Sequence, residues 1–244
     1  MKVLVLSGRF GMGHEMAANA ICEQFRKLDK DTEIVKKDLL EELYPHISMH
    51  PEWKADQTDL YLAPTREIKE HLICEGTKAE NILVTGIPVR QQFLNMDRKH
   101  LENEKEVRRV LVMGGGLGLM PDLRRLLGKL HSMQSVQTIV ITGKNHKMYE
   151  EWVNRYEDVK VLGYTENISK YMRWADLVIT KAGGITLFEI LHSQVPLFVI
   201  HPFLEQEMNN ARYAAEKGFA KVIWGRREDY IPELEKLLSD EKMM

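Results

Sequence analysis

The chain has 244 residues, of which 44% are hydrophobic and 29% are charged, and its formal net charge is -2. This composition is ordinary for a globular protein of one large or two small domains. A charge so near zero argues against a nucleic-acid partner that is held by phosphate neutralisation. Cys22 and Cys74 form no paired motif, and no run reaches the ~20 apolar residues of a membrane span. We therefore expect a cytoplasmic protein, with peripheral contact to the cell membrane left open.

Strands and helices alternate in the first half of the chain. Short apolar runs followed by turn residues predict the strands, and apolar residues near helical spacing predict the first helix. Pro45 and Pro51 interrupt the pattern between residues 38 and 56. The predicted strands are 2–6, 33–37, 59–63 and 81–85, and the predicted helices are 15–28 and 65–75.

The alternation resumes after a charged stretch at 97–109, which we expect to be exposed. Continuous apolar strands that alternate with helices are typical of a parallel sheet covered on both faces. We predict an α/β fold with two Rossmann-like domains, at 1–95 and 96–244, and a cleft between them. The predicted strands of the second domain are 109–113, 138–142, 159–162, 176–180, 197–200 and 220–223, with helices between them and a last helix at 229–238.

The segment 181–189, Lys-Ala-Gly-Gly-Ile-Thr-Leu-Phe-Glu, joins a predicted strand to a predicted helix. Its paired Gly183 and Gly184 let the backbone pass close to a ligand, and the free N–H groups and positive end of the helix favour an anion. Glu189 lies one helical turn further along, too far in to cap the helix. Its carboxylate could accept hydrogen bonds from two neighbouring hydroxyls, such as those of a ribose. A phosphate site beside a diol acceptor suggests a nucleotide-sugar.

A second glycine-rich loop, 114–118, also follows a strand and opens a helix. Its glycines permit positive φ and close approach to a phosphate, although they could also serve only as a tight turn. No Gly-Lys-Ser/Thr follows, so the loop is not a P-loop. The strict dinucleotide spacing is absent as well, and Thr142 stands where the acidic residue of a dinucleotide site would end the next strand.

Three further turns at strand ends carry polar groups. Lys144 could neutralise a phosphate, or Asn145 could line a base pocket, with a plain polar turn as the alternative. The backbone around Tyr164 could pair with a planar base, unless Tyr164 is a packing residue. Gln206 and Glu207 begin a helix and could bind successive sugar hydroxyls, or they could form an ordinary solvated helix start.

His14 lies in a glycine turn, 11–14, at the start of the first predicted helix. A histidine near a helix N-terminus tends to be neutral, because the helix dipole opposes its cationic form. A neutral imidazole can accept a proton from an attacking hydroxyl or donate to a phosphate oxygen, although a lone histidine is more often structural. The other histidines show no metal-site spacing, and we predict neither a metal nor a cofactor.

Together these residues resemble the GT-B glycosyltransferases that include plant monogalactosyldiacylglycerol synthases and bacterial processive diacylglycerol glucosyltransferases. The N-acetylglucosaminyltransferase of peptidoglycan synthesis is a more distant relative. The likeness covers nearly all of the second half of the chain and both ends of the first. It rests on segments 11–14, 85–90, 114–116, 143–145, 163–164, 181–189 and 206–210.

The resemblance implies that the second domain binds a UDP-sugar as donor substrate. Transfer would be inverting and metal-free, because helix N-termini would neutralise the leaving diphosphate. The acceptor would be a lipid hydroxyl, usually that of diacylglycerol, at the membrane surface, with His14 near it or near the diphosphate. The implied donor-binding residues are Gly115, Gly116, Gly183, Gly184, Ile185 and Thr186 for the diphosphate, Glu189 for the ribose, Asn145 and Tyr164 for the base, and Gln206 and Glu207 for the sugar.

The first half departs from that family, whose members carry a much longer first domain. Little separates Tyr44 from Trp53 here, where relatives have further strands, helices and a lipid-contacting region. Such an abbreviated domain supports donor binding better than acceptor binding. Two alternatives stay open: a UDP-sugar-binding module that is inactive alone or needs a partner subunit, and an enzyme like the UDP-N-acetylglucosamine 2-epimerases, which share the fold.

Overall fold

The computed structural model describes residues 2–7, 12–38, 61–63, 66–94, 107–115, 120 and 122–239. The chain divides into two compact units, Met1–Gln91 and Gln92–Met244. The domain boundary predicted between residues 95 and 96 falls in a segment outside the described residues.

The first unit contains two strand–helix–strand motifs. Strands β1 (Lys2–Ser7) and β2 (Glu33–Asp38) pair in parallel and are joined by helix α1 (Met12–Leu28). Strands β3 (Tyr61–Ala63) and β4 (Ile82–Val84) also pair in parallel, with helix α2 (Arg66–Cys74) between them in sequence. Helices supply these connections because parallel strands need a crossover. Helix α1 begins before the predicted residue 15, so that His14 is helical.

The second unit is built on one six-stranded parallel sheet with the order β10-β9-β8-β5-β6-β7 in the numbering used here. Its strands are β5 (Arg108–Met113), β6 (Val136–Ile141), β7 (Val159–Leu162), β8 (Leu177–Thr180), β9 (Leu197–Ile200) and β10 (Ala220–Ile223). Its helices are α3 (Leu123–His131), α4 (His146–Trp152), α5 (Ile168–Trp174), α6 (Gly184–His192), α7 (Glu205–Glu216) and α8 (Ile231–Ser239).

The strand order reverses at the centre of this sheet. From β5 the chain moves outward to β6 and β7, then returns to place β8 on the other side of β5. Met113 and Thr180, the last residues of β5 and β8, lie opposite each other in register. In open sheets of this kind a ligand binds beyond the carboxyl ends of the strands at the point of reversal. The loops after β5 and β8 are therefore the expected ligand loops.

The strands β8 and β9 and most of β5 are buried, because both faces of the sheet are covered there. Val110, Leu111 and Val112 of β5 are all fully buried, and successive strand residues point to opposite faces. Helix α3 covers one face with Leu126, Leu127 and Leu130, and burial of each leucine contributes about 1.5–3 kcal/mol. None of the described helices combines the length and the hydrophobicity of a membrane span.

A largely buried ion pair fixes the start of β8 beside β5. The Asp176 carboxylate accepts hydrogen bonds from Arg109 N at 3.0 Å and Arg109 Nε at 3.3 Å. In return Asp176 N donates to Arg109 O at 2.7 Å. Asp176 was predicted as the first residue of the strand, but regular strand begins at Leu177. The polar contact that aligns the two strands thus lies just outside the regular ladder.

We expect Asp176→Ala to lower the free energy of unfolding by about 3 kcal/mol, because it leaves the largely buried Arg109 guanidinium without this carboxylate. Chemical denaturation followed by circular dichroism measures this. Arg124→Ala is the control, since it breaks a 3.1 Å pair with Glu151 whose side chains are well exposed. Equal midpoints for the two variants would contradict an aligning role for Asp176.

Candidate functional site

Two glycine-containing loops begin side by side at the carboxyl edge of the central strands. The loop after β5 contains Gly114, which is buried, and Gly115, whose φ is +70°. A positive φ favours glycine, so this position has a conformational reason for its residue type. Gly116, also predicted to hold the diphosphate, lies outside the described residues.

The loop after β8 is held in place by main-chain and side-chain hydrogen bonds. Gly183 N donates to Lys181 O at 2.8 Å, which closes a tight turn. Asn210 of α7 donates from Nδ2 to Ala182 O at 2.8 Å and ties that turn to the neighbouring helix. Helix α6 then begins at Gly184. The path of the backbone is thus fixed by contacts within the second unit.

No feature of the described fold requires glycine at Gly183 and Gly184. Gly183 has an ordinary φ of −70°, and a Cβ added to it would meet no atom within 4 Å. A Cβ on Gly184 would meet only Asn210 Nδ2 at 3.8 Å and Gln206 Nε2 at 3.9 Å, which is normal contact. Neither backbone strain nor protein packing therefore requires glycine here. Glycine at these positions would allow a ligand to approach the backbone closely.

The N-terminus of α6 is suited to an anion. Its N-cap residue is Gly183, so no side chain caps the amides of Gly184, Ile185 and Thr186. Uncapped amides and the positive end of the helix dipole attract phosphate. Ile185 is buried, whereas Gly184 and Thr186 are partly exposed. The amides of this segment are therefore open to an anion, and their assignment to a diphosphate stays a prediction.

Helix α3 presents a second N-terminus without a side-chain cap. Its N-cap residue, Asp122, adopts a left-handed conformation with φ of 52°, and its carboxylate does not bond to the helix amides. Instead the carboxylate accepts a hydrogen bond from Tyr230 Oη at 3.2 Å and lies 3.9 Å from Arg125. Burial, reinforced by the Asp122 charge, raises the pKa of the Tyr230 phenol well above its ordinary value. The phenol donates to this carboxylate, which is thereby engaged away from the helix amides.

The predicted sugar-binding residues lie next to the α6 N-terminus. Gln206 is exposed at the start of α7. Glu207 is 8% exposed, and its Oε1 lies 3.1 Å from Lys181 Nζ. The ammonium of Lys181 also lies 5.5 Å from the centre of the Phe203 ring. The structure therefore brings Lys181, Gly184, Gln206, Glu207 and Asn210 into one cluster.

Glu189 is placed inside α6 with only 1% of its surface exposed. Its main-chain oxygen accepts hydrogen bonds from Ser193 N at 2.9 Å and Ser193 Oγ at 2.7 Å. Burying a carboxylate is costly, so a glutamate at this depth is unusual in a helix. The assignment of Glu189 to a ribose stays a prediction.

The predicted base-binding residues follow β6 and β7. Asn145 is the N-cap of α4, and its Oδ1 accepts a hydrogen bond from Met148 N at 3.0 Å. That oxygen is therefore already engaged as a helix cap, which favours the alternative of a plain polar turn for Asn145. Tyr164 is 55% exposed, with Lys144 Nζ 5.8 Å from its ring centre, so its ring is open to a planar partner. The base pocket stays a prediction.

His14 belongs to α1 in the first unit, and its side chain lies outside the described part of the structure. Its catalytic role therefore stays a prediction. Within the described residues, no group of three or more His, Cys, Asp or Glu side chains could hold a metal ion.

Two buried polar atoms and one ion pair at this edge escaped the sequence analysis. Thr180 Oγ1 and His201 Nε2 are buried without a hydrogen-bond partner among the described residues, and His201 has a strained φ of 48°. The Lys181–Glu207 pair was also missed. Lys181 carries the only full charge directly after a strand of this sheet, and this marks the cation in the sequence but not its partner.

Comparison with protein families assigns the second unit. The model of the glycosyltransferase family 28 C-terminal domain matches residues 109–243. The chain belongs to this glycosyltransferase family. A monogalactosyldiacylglycerol synthase model matches residues 46–89 in the first unit. The resemblance inferred from the sequence motifs is thereby confirmed.

Individual relatives give the same family and fold. The processive diacylglycerol beta-glucosyltransferase of Bacillus licheniformis is 33% identical over 207 residues, which are 80% of this chain and 53% of that protein. The chain thus spans about half the length of the curated relatives it matches. MurG of Acinetobacter baumannii superposes with a TM-score of 0.60 at 13% identity, covering 100% of this chain and 92% of MurG. The UDP-GlcNAc 2-epimerase of Neisseria meningitidis, bound to UDP-GlcNAc, gives 0.59 at 14% identity over 97% of this chain and 67% of the epimerase. These likenesses confirm the predicted α/β, GT-B-like fold.

We expect Gly184→Ala to weaken UDP binding by about tenfold or more, because the added methyl group occupies the space a phosphate needs above the helix N-terminus. Stability should be retained, since the Cβ meets only ordinary contacts. Isothermal calorimetry with UDP measures the affinity. Gly128→Ala in α3 is the matched control, because its Cβ would meet only Tyr156 Oη at 3.8 Å. Unchanged UDP affinity in Gly184→Ala would contradict the prediction that a phosphate binds at this turn.

Proposed function

We propose that this protein transfers a hexose from a UDP-sugar to a lipid hydroxyl such as that of diacylglycerol, with inversion at the anomeric carbon. One observation carries the proposal: a Gly183–Gly184 turn that its own fold does not require opens a helix at the point of strand reversal. That turn offers uncapped amides to an anion where such sheets bind ligands. Because the chain belongs to the glycosyltransferase family, we propose that this anion is the diphosphate of a sugar nucleotide.

The second unit would stabilise the leaving group. The acceptor oxygen attacks the anomeric carbon while the bond from that carbon to the diphosphate oxygen breaks, and UDP leaves with the electron pair. Negative charge that develops on the diphosphate faces the N-termini of α6 and α3. Preorganised amides in such a place stabilise the transition state without a metal ion. Gln206 and Glu207 would bind the sugar hydroxyls, and Glu189 the ribose.

The proposed proton transfer is argued from a residue of the first unit, and the proposed acceptor from the relatives. His14 would take the proton of the acceptor hydroxyl, since a histidine in the first turn of a helix tends to be neutral. The relatives are named as diacylglycerol glucosyltransferases, which favours a lipid acceptor and peripheral association with the inner face of the cell membrane. A donor-binding module that needs a partner subunit is the second candidate, because the chain matches only 53% of such a relative.

We expect the purified chain to bind UDP at least about tenfold more tightly than ADP, measured by calorimetry, because the backbone around Tyr164 at the predicted base pocket would pair with the edge of one base only. Radiolabelled UDP-glucose, UDP-galactose and UDP-N-acetylglucosamine are then offered with vesicles containing diacylglycerol. Transfer of one sugar supports the enzyme. UDP binding without any transfer supports the partner-dependent module, and equal binding of UDP and ADP contradicts both. Conversion of UDP-N-acetylglucosamine to UDP-N-acetylmannosamine, or with water to free N-acetylmannosamine and UDP, would instead identify an epimerase.

We expect His14→Ala to lower the rate of transfer by about a hundredfold or more and to leave UDP affinity unchanged, because it removes only the proton acceptor. The rate constant at saturating donor and the UDP affinity are measured on the same preparation. His71→Ala is the control, since His71 lies on α2 in an exposed pair with Glu75. Full activity in His14→Ala would refute the assigned role.

A further inference from the structure

The ion pair between Lys181 and Glu207 joins the end of β8 to the first turn of α7. The two residues are 26 positions apart in the chain, and Lys181 Nζ donates to Glu207 Oε1 at 3.1 Å. Their side chains are only 16% and 10% exposed. The Phe203 ring lies 5.5 Å from the same ammonium. The ammonium is therefore held between an aromatic ring and a carboxylate.

Stability alone does not account for this pair. A largely buried ion pair gains little net free energy, because desolvation of both charges offsets their attraction. The second unit also shows the ordinary alternative, since Lys221 and Glu233 pair at 2.9 Å with side chains 45% and 37% exposed. A pair kept away from water beside a ligand site is better explained by what it orients.

The geometry leaves half of the Glu207 carboxylate for a ligand. Lys181 contacts Oε1, and among the described residues no other group donates to this carboxylate. Oε2 can therefore accept a hydrogen bond from a hydroxyl. Gln206 Nε2 lies 3.9 Å from the position of a Cβ on Gly184, so the same corner adjoins the α6 N-terminus. A sugar attached to a diphosphate at α6 would reach this corner.

We propose that Lys181 is a positioning residue that orients the Glu207 carboxylate toward the donor sugar and compensates its charge, and that it does not bind the diphosphate itself. The inference rests on the proposed UDP-sugar site. It assigns the selectivity for the sugar, rather than affinity for the nucleotide, to Lys181.

The test compares UDP with UDP-glucose in calorimetric titrations of the full chain. Lys181→Met keeps most of the aliphatic stem and removes the charge. We expect its affinity for UDP to stay within about twofold of the original protein, and its affinity for UDP-glucose to fall about tenfold or more. Lys221→Met is the matched control and should change neither affinity, because its pair with Glu233 is exposed.

A second background separates an indirect role from a direct one. With Glu207→Gln already in place, Lys181→Met should have no further effect on UDP-glucose, since the group it orients is gone. Lys181→Arg keeps the cation and should recover part of the lost UDP-glucose affinity. If Lys181→Met fails to fold, two other variants still test the inference. Glu207→Gln should lose affinity for UDP-glucose but not for UDP, and Lys181→Arg should retain part of the affinity for UDP-glucose.

Each other result has a distinct meaning. If Lys181→Met lost equal affinity for UDP and for UDP-glucose, Lys181 would contact the diphosphate. That result would overturn this inference and leave the proposed function standing. A lower melting temperature with both affinities intact would make the pair purely structural and also overturn it. No UDP binding by the original protein would instead overturn the proposed function, and the inference with it.

Discussion

The parallel pairing of β5 with β8 is the constraint on which the whole candidate site depends. It sets Met113 beside Thr180, so that two glycine-containing loops leave the sheet at the same level. The Arg109–Asp176 contact fixes that register at the opposite end of the strands, where an error of one residue would exchange the two faces. The helices α3 and α6 follow these two loops, and both begin without a side-chain cap. Uncapped helix ends of this kind are suited to phosphate groups.

Two protein carboxylates beside the candidate site are held by partners of their own. Tyr230 donates to the Asp122 carboxylate, which does not bond to the α3 amides. Lys181 donates to the Glu207 carboxylate in the first turn of α7. An N-cap carboxylate that is engaged elsewhere leaves the helix amides open to an external anion. The α3 N-terminus is therefore open in the same way as the uncapped N-terminus of α6.

The sequence predicted the strands well where short, mostly apolar segments stand between helices. The segments 159–162, 197–200 and 220–223 are of this kind, and the structure has the same bounds. It failed where an element end depends on a contact from elsewhere in the chain, as at Asp176, which bonds to Arg109 instead of continuing the strand. The order of the strands is also a tertiary property. The Lys181–Glu207 contact could therefore not be read from spacing, whereas the capping role of Asn145 follows from local residue preference alone.

The contacts that shape the predicted diphosphate and sugar subsites lie within the second unit. Asn210 bonds to Ala182, Lys181 pairs with Glu207, and Tyr230 bonds to Asp122, all between elements of one sheet and its helices. The first unit contributes none of the residues assigned to the donor, and it carries the one residue assigned to proton transfer. Donor recognition and chemistry are thereby assigned to different parts of the chain. Substitutions in α6 and α7 should accordingly act on donor affinity, and a substitution at the start of α1 on the rate of transfer.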